Sequence, residues 1–376
     1  MTKREKQEEP KDGVEKALAE FGAREGTLVE FLARTKTLIE ASLQDANIRY
    51  QSVQTRVKSR KKLEEKYLDP SKSYKHLADI TDLAGIRIIT YYEDDVDVVA
   101  QVIKREFEID SKNSIDKRDV EPDRFGYSAL NYVCTHLPKR IADVEYKKFG
   151  GLVCEVQITS ILRHAWAEIE HEWYDLKRSY PKNVKRRFYR IAALLELAES
   201  EFLDIRRKRI DYERSVAVQV EAKVPDVPIA AVSLKSFFLQ EPLVAQIDKA
   251  LIDLLEVRFW EGELTADVLD TRTKAAKMVG FTKVEDIREA LTKYGDAVVE
   301  YVGRCSEYWV IGRDAALGSG ACLLFLAIML AAAEGEKPAA DAMAALSRSI
   351  AFNFHLLEQV ETAREIVEKY SKQVKS

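Results

Sequence analysis

Cysteine is scarce in this sequence, and its four cysteines form no motif. Cys134, Cys154, Cys305 and Cys322 lie far apart, and no two of them have the Cys-x-x-Cys spacing of a zinc or redox site. A zinc cluster and a disulfide framework are therefore poor interpretations of this chain. Reduced thiols in a cytoplasmic protein fit the composition best.

An excess of charge of either sign is also missing. The chain has 59 Lys and Arg residues against 63 Asp and Glu residues, which gives a formal net charge of −4. This argues against a protein that coats nucleic acid over its whole surface, although local basic patches remain open. The first residues, MTKREKQEEPKDG, contain no apolar signal region, so we expect residues 1–13 to be a disordered leader of a cytoplasmic protein.

The one long apolar run to consider is AALGSGACLLFLAIMLAAA, at residues 315–333. Its length is marginal for a membrane span, and Gly318, Ser319 and Gly320 interrupt its first part. It has no aromatic belt and no basic cluster that would set a topology. We therefore predict a buried core helix and no membrane association; the sequence leaves open whether that helix is buried within one chain or between two.

The length of 376 residues predicts more than one domain. Pro225 and Pro228 interrupt the periodicity of residues 215–232, which predicts a linker. This linker would separate an α/β domain at residues 14–214 from a helical domain at residues 233–376. The helical domain carries no chemical motif that would indicate its role.

The predicted α/β domain alternates between strand and helix patterns. Runs of β-branched residues and period-2 alternation predict strands at 48–58, 83–92 and 127–137, and a hairpin over 144–158 that turns at Gly150–Gly151. Helical spacing of apolar residues predicts helices at about 160–177 and 183–215. The fold class is therefore α+β: a mixed, mostly antiparallel five-stranded sheet flanked by helices, followed by an all-α C-terminal domain.

Positive charge is concentrated in QTRVKSRKKLEEK, at residues 54–66. Arg56, Lys58 and Lys66 belong to a strand end and the helix after it, where side chains converge on one point, as polyphosphate binding requires. A solvated basic face is the alternative interpretation.

Acidic and aromatic residues at other strand ends extend this pattern. Asp82 precedes the strand that contains Arg87, and a carboxylate in that place either holds Mg²⁺ or acts as a turn residue. Tyr127 lies at the edge of a predicted strand, where it either stacks on a base or is a partly buried aromatic. In the last strand Glu155 and Gln157 share a polar face opposite an apolar one.

The helix after that strand contains His164, Glu168 and His171 at spacings of four and three. Such a stripe could hold a metal ion, but a buried hydrogen-bond network is the interpretation that we favour.

Five segments occur in this order: RVKS, DLAGIRI, FGYSALNY, EVQI and HAWAEIEHEWYDLK. Together they resemble the nucleotide-binding motifs of RelA/SpoT-type (p)ppGpp synthetases. The later segment RRFYRIAALLELAESEFLDI resembles the helix that follows this domain in small alarmone synthetases. The resemblance covers about residues 30–212 and implies a nucleotidyltransferase-like fold there.

The resemblance implies a GTP pyrophosphokinase, which transfers the β,γ-pyrophosphate of ATP to the 3′-hydroxyl of GDP or GTP in stringent-type stress signalling. Arg56 and Arg87 would then sandwich the adenine, and Lys58 and Lys66 would neutralise the ATP phosphates. Asp82 and Glu155 would be the catalytic residues: Asp82 would bind Mg²⁺, and Glu155 would bind it too or accept the proton of the attacking hydroxyl.

On the acceptor side, the resemblance implies that Tyr127 stacks on the guanine, with Asn131, Gln157 and His164 near that nucleotide. This side departs from the family pattern, since the usual GYxSxH is GYSALN and the Arg-Thr after ExQ is Thr159-Ser160. Lys62 stands where the family has a serine. No His-Asp dipeptide occurs, so the family's metal-dependent hydrolase domain is not expected.

Two other interpretations remain open. A toxin-like member of the family would pyrophosphorylate tRNA 3′ ends or adenosine nucleotides, with the basic runs Lys182–Arg190 and Arg206–Arg209 contacting tRNA and the C-terminal domain restraining it. A non-enzymatic helical scaffold would carry the nucleotide domain as a relic, but the intact residues of the motifs argue strongly against it: Arg56, Lys58, Asp82, Arg87, Tyr127 and Glu155. The sequence also leaves open a homo-oligomer and an unknown effector of the C-terminal domain.

Overall fold

The computed structural model describes residues 5–69, 72, 74, 76–118, 129–174, 181–311, 316–346, 350–352 and 356–373. The chain divides into two compact units, Met1–Arg207 and Lys208–Ser376. This division lies a few residues before the predicted end of the first domain at residue 214.

The first unit contains five strands and the helices around them. In chain order its elements are α1 (Glu5–Asp45), β1 (Ser52–Val57), α2 (Arg60–Tyr67), β2 (Ala84–Thr90), α3 (Asp94–Glu106), β3 (Phe107–Asp116), β4 (Leu130–His136), α4 (Pro138–Ile141), β5 (Cys154–Ser160), α5 (Ile161–Tyr174) and the first part of α6 (Lys182–Glu221), whose last residues belong to the second unit. Charges match the dipole of α3, with acids in its first turn and Lys104 and Arg105 in its last.

The five strands form one sheet in the order β1-β2-β5-β4-β3. Strands β2 and β5 run parallel, and the other neighbouring pairs are antiparallel. The predicted mixed, mostly antiparallel five-stranded sheet is therefore confirmed.

The two faces of this sheet differ in character. Ile86, Val156 and Leu130 lie on the face that packs into the core of the first unit. Paired residues of neighbouring strands point to the same side, and alternate residues point to opposite sides. Arg87, Gln157 and Asn131, which are paired across three strands, therefore lie on the other face. We call this second surface the polar face.

Two strand predictions were wrong: the first half of the predicted hairpin is not a strand, and one strand of the sheet was not predicted. Residues 144–149 form turns and a short 3₁₀ helix rather than half of a hairpin, because Tyr146 and Phe149 pack against His136 and Phe31. The fifth strand is instead β3, which follows α3 directly and whose residues are mostly exposed.

The predicted leader and linker also differ from the structure. Helix α1 begins at Glu5, inside the stretch expected to be disordered, where Lys, Glu and Gln are good helix formers. Helix α6 continues to Glu221 through the first part of the predicted linker, because Val216 and Val220 are buried in the core of the second unit.

The second unit is mainly helical, as predicted. Its further elements are α7 (Ala231–Gln240), α8 (Pro242–Leu255), β6 (Arg258–Phe259), α9 (Ala266–Met278), α10 (Val284–Cys305), β7 (Trp309–Ile311), β8 (Ala316–Leu317), α11 (Ala321–Glu334), α12 (Glu336–Leu346), β9 (Ile350–Phe352) and α13 (Leu356–Gln373). The apolar run at 315–333 supplies most of α11, which is buried among the other helices of this unit. Within the described residues, every helix is too short or too polar to cross a membrane.

His136 is a buried titratable group in the core of the first unit. It is 4% exposed, and its Nε2 lies 3.0 Å from the Thr35 hydroxyl, which donates its own hydrogen to the Phe31 carbonyl at 2.7 Å. Nε2 must therefore carry a hydrogen and donate it, while Nδ1 has no hydrogen-bond partner among the described residues. Burial, together with the charge of Arg140, lowers the pKa of His136 from 6.5 to about 4.

We expect this histidine to make folding sensitive to acid. The unfolded chain takes up a proton near pH 6.5 and the folded chain only near pH 4, so stability is lost as the pH falls between these values. The shift corresponds to a loss of roughly 3 kcal/mol. Urea unfolding at pH 7 and pH 4.5 should show a smaller difference in the His136→Phe variant. Equal differences in both proteins would contradict the assignment.

Candidate active site

The polar face carries a band of side chains from three strands. Gly85 of β2 pairs with Arg56 of β1 on one side and with Glu155 of β5 on the other. One step further along, Gln54, Arg87 and Gln157 are paired in the same way. These residues line an open hollow with a volume of about 340 Å³, which suits a small organic ligand.

Asp82 lies just before β2 and binds two lysines. The Lys58 ammonium is 2.9 Å from Asp82 Oδ2, and the Lys66 ammonium is 2.7 Å from Oδ1. Burial alone would raise the pKa of Asp82, but the hydrogen bonds from Lys66 and Lys58 outweigh it and lower that pKa. The three groups therefore form a charged cluster, with Lys58 itself buried.

Glu155 is half-buried beside this cluster. Burial raises the pKa of Glu155, and the negative charge of Asp82 raises it further. The two carboxylates are therefore close enough to repel each other, although they belong to segments far apart in sequence. Such a pair is an arrangement that can hold a hard cation together with phosphate oxygens. The described residues contain no group of three or more side chains that could hold a metal ion alone.

Arg87 connects β2, β5 and α5. Its Nε donates to Gln157 Oε1 at 2.8 Å, and its Nη1 lies 3.2 Å from His164 Nδ1 and donates to the Glu168 carboxylate. Gln157 continues the network by donating to Asn131 Oδ1 at 3.4 Å. His164 and Glu168 thus take part in a hydrogen-bond network with Arg87, as we favoured, but this network is not buried as predicted, because the Glu168 side chain is exposed.

This network sets the charge of its members. Burial and the nearby Arg87 charge lower the pKa of His164, so its imidazole is neutral at pH 7. The hydrogen bond from Arg87 lowers the pKa of Glu168, which therefore stays ionised. Arg87 is held in one orientation, with its guanidinium at the border of a second hollow that Arg56, Lys62 and His171 also line.

The structure brings most of the predicted site residues to one face. Asp82, Glu155, Lys58 and Lys66 form one part; Arg87, Gln157, Asn131 and His164 form the other, and Arg56 borders both hollows. Tyr127 lies outside the described residues. The sequence did not indicate that Glu168 binds Arg87, because that contact depends on how α5 packs on the sheet.

A known protein family matches the part of the chain that contains this site. Residues 55–179 match the family model described as "Region found in RelA / SpoT proteins". The chain is 25% identical over 130 residues to GTP pyrophosphokinase YjbM of Bacillus subtilis (strain 168), which is 33% of this chain and 57% of that protein. It is 28% identical over 131 residues to GTP pyrophosphokinase YwaC of the same organism, which is 34% of this chain and 59% of that protein.

Solved structures of small alarmone synthetases are also similar to this chain. Small alarmone synthetase 1 from Bacillus subtilis has a TM-score of 0.42 and 22% identity, covering 50% of this chain and 97% of that chain. The same synthetase bound to its product pppGpp has a TM-score of 0.40 and 20% identity, covering 48% of this chain and 93% of that chain. The family match covers residues 55–179 of this chain, and the chain spans less than two thirds of the length of the two curated relatives.

Proposed function

We propose that the RelA/SpoT region of residues 55–179 transfers pyrophosphate from ATP to the 3′-hydroxyl of a guanosine nucleotide, GDP or GTP. The observation that carries the proposal is the meeting of Asp82 and Glu155 beside Lys58 and Lys66 on one face of the sheet. Two carboxylates next to two ammonium groups are what a transfer between two polyphosphates requires, because the phosphate charge must be neutralised and an attacking hydroxyl must lose its proton.

The donor side of the site would bind ATP. Arg56 and Arg87 border the same hollow, where their guanidinium planes could stack on the two faces of the adenine. The Arg87 contacts with Gln157 and Glu168 hold its guanidinium in place before the nucleotide arrives. Lys58 and Lys66 would exchange part of their contact with Asp82 for contacts with the phosphates.

The two carboxylates of this site are groups that suit Mg²⁺. Asp82 and Glu155 supply carboxylate oxygens, the ligands that Mg²⁺ takes together with substrate phosphates and water. Burial raises the pKa of Glu155 and the negative charge of Asp82 raises it further; a cation between the two carboxylates would relieve that repulsion. When bound, Mg²⁺ would neutralise charge on the transferred phosphates; the residues that would hold it are Asp82 and Glu155.

Glu155 would act as the general base. In the transfer, the acceptor 3′-oxygen forms a bond to the β-phosphorus of ATP. The bond from that phosphorus to the oxygen that bridges it to the α-phosphorus breaks, and AMP leaves with that oxygen. The hydroxyl proton would pass to the Glu155 carboxylate. Burial, the largest cause of its raised pKa, brings the base nearer to the pH at which it works.

The acceptor would lie on the side of Asn131, Gln157 and His164. The neutral imidazole of His164 and the amide of Asn131 can offer hydrogen bonds without adding charge. Tyr127, by resemblance to the family, would stack on the guanine.

A transfer assay tests this proposal directly. The full chain is incubated with ATP labelled at the γ-phosphate and Mg²⁺, and GDP, GTP, ADP or deacylated tRNA is offered in turn. We expect the label on GDP or GTP. Label on tRNA or ADP alone would support the toxin-like alternative, and label on no acceptor would contradict the enzyme altogether.

A further inference from the structure

Arg163, in the first turn of α5, joins three elements of the first unit. Its Nη2 donates to Oε1 of Glu93, the residue before α3, at 2.5 Å, and its Nε donates to Oε2 of Glu199, on α6, at 2.7 Å. The Arg163 side chain is 20% exposed and that of Glu199 only 5%. The contact with Glu199 is therefore largely shielded from solvent, where an ion pair is screened less than at the surface.

The position of Arg163 within α5 gives its two acidic partners a clear purpose. A positive charge in the first turn of a helix lies near the positive end of the helix dipole, which disfavours it. Glu93 and Glu199 compensate for that cost, and the backbone N–H of Arg163 donates to the Ser160 hydroxyl at 3.3 Å. Its main chain and its side chain thus both fix the place where α5 begins.

The start of α5 decides where two residues of the candidate site lie. His164 follows Arg163 directly, and Glu168 lies one turn further along the same side of the helix as His164. Both contact the Arg87 guanidinium, His164 through Nδ1 at 3.2 Å and Glu168 through its carboxylate. Since the Glu168 side chain is 60% exposed, its own packing does not hold it beside Arg87, and the placement of α5 must do so.

We propose that Arg163 is a positioning residue, which fixes the α5 residues that contact Arg87 and so sets the affinity of the site for the adenine of ATP. This inference rests on the proposed function, because it takes Arg87 as one of the two guanidinium groups that stack on the adenine. Stacking requires a guanidinium plane that is held parallel to the base. A displaced α5 would therefore weaken binding of the base and leave the phosphate contacts unchanged.

Binding of AMP tests this role without any transfer reaction. Isothermal titration with AMP and with inorganic triphosphate is carried out on the wild-type full chain and on Arg163→Met and Arg163→Lys. We expect Arg163→Met to bind AMP about tenfold more weakly, the effect of losing one contact between a guanidinium and a ring. Arg163→Lys should lie between the two, because an ammonium group cannot bind both acids as the planar guanidinium does. Triphosphate, which has no base, should bind equally to all three proteins.

Arg140→Met is the matched control for a loss of stability. Arg140 is also 20% exposed and also paired with an acid, Glu106 at 2.8 Å, but it belongs to α4. Both arginine-to-methionine variants should unfold at a lower temperature, and only Arg163→Met should lose affinity for AMP. Because Arg163→Met leaves the Glu199 carboxylate buried and unpaired among the described residues, Arg163→Met/Glu199→Gln is measured too, and it should show the same loss.

A double-mutant cycle shows whether Arg163 acts through Arg87. In the Arg87→Met background, replacing Arg163 with methionine should cause no further loss of AMP affinity. An equal loss in both backgrounds would overturn the proposal, as would unchanged AMP binding in Arg163→Met and in the double variant with Glu199→Gln. A loss of the same size for triphosphate would overturn it too, because the effect would then not be on the base.

The transfer assay distinguishes failure of this proposal from failure of the proposed function. If the wild type transfers pyrophosphate and Arg163→Met has the same KM for ATP, the positioning role of Arg163 is wrong and the activity stands. If the wild type transfers nothing but Arg163→Met still binds AMP more weakly than the wild type, the positioning role stands and the activity is wrong.

Discussion

Replacing Glu155 with glutamine should reduce pyrophosphate transfer by a factor of about 10² to 10⁴, the contribution of a positioned general base. The glutamine has nearly the same shape but cannot accept the hydroxyl proton. The wild-type rate should fall as the pH drops through the raised pKa of Glu155, because the protonated carboxyl no longer acts as a base. The residual rate of Glu155→Gln should not show this fall. Single-turnover kinetics across the pH range measures both effects.

Stability measurements show whether that loss comes from unfolding. Burial and Asp82 raise the pKa of Glu155, so above its unfolded-state pKa the ionised side chain opposes folding. Glu155→Gln should therefore unfold at the same temperature as the wild type or slightly higher at pH 7. Glu65→Gln is a matched control, since Glu65 is an exposed acid of α2 paired only with Lys61 in the described structure, and it should keep full activity. A Glu155→Gln protein with wild-type rates would remove the general base from the proposal.

In the second unit, replacing Asp248 with alanine should destabilise the fold by roughly 2–4 kcal/mol, because two buried N–H groups would lose a charged acceptor. Asp248 of α8 is 3% exposed, and its carboxylate accepts the N–H groups of Gly320 and Cys322, each at 2.7 Å. These groups begin helix α11, where Gly320 has a φ of +78°. Without the carboxylate, two buried donors would lose their acceptor, and Arg272, also buried, would lose the negative charge beside it.

Hydrogen exchange of the α11 amides measures this effect locally, because the two units need not unfold together. We expect faster exchange throughout α11 in Asp248→Ala and a lower unfolding temperature. Asp226→Ala is the control, because Asp226 is a highly exposed partner of Lys283 and its removal should cost less than about 1 kcal/mol. If both variants show wild-type exchange in α11, Asp248 does not hold the start of that helix.

Errors in the predicted strands have a physical origin. Strand β3 has the sequence FEIDSKNSID, in which polar residues predominate, and its register shifts between Asp110 and Ile115. An exposed edge strand with such an irregularity needs no alternation of apolar residues, so no pattern indicated it. Residues 144–149 show the opposite case: Tyr146 and Phe149 look like strand residues but enter the core from a turn.

Alternation along β5 was enough to predict that Glu155 and Gln157 share a polar face, and motif order was enough to single out Asp82, Lys58 and Lys66. Alternation is a local property of the backbone, so it can be recognised without knowing the neighbouring strands. The pairing of Asp82 with both lysines and the network around Arg87 became apparent only from the folded chain. These contacts join segments far apart in sequence, and they depend on strand order, strand register and the packing of α5, which side-chain patterns do not specify.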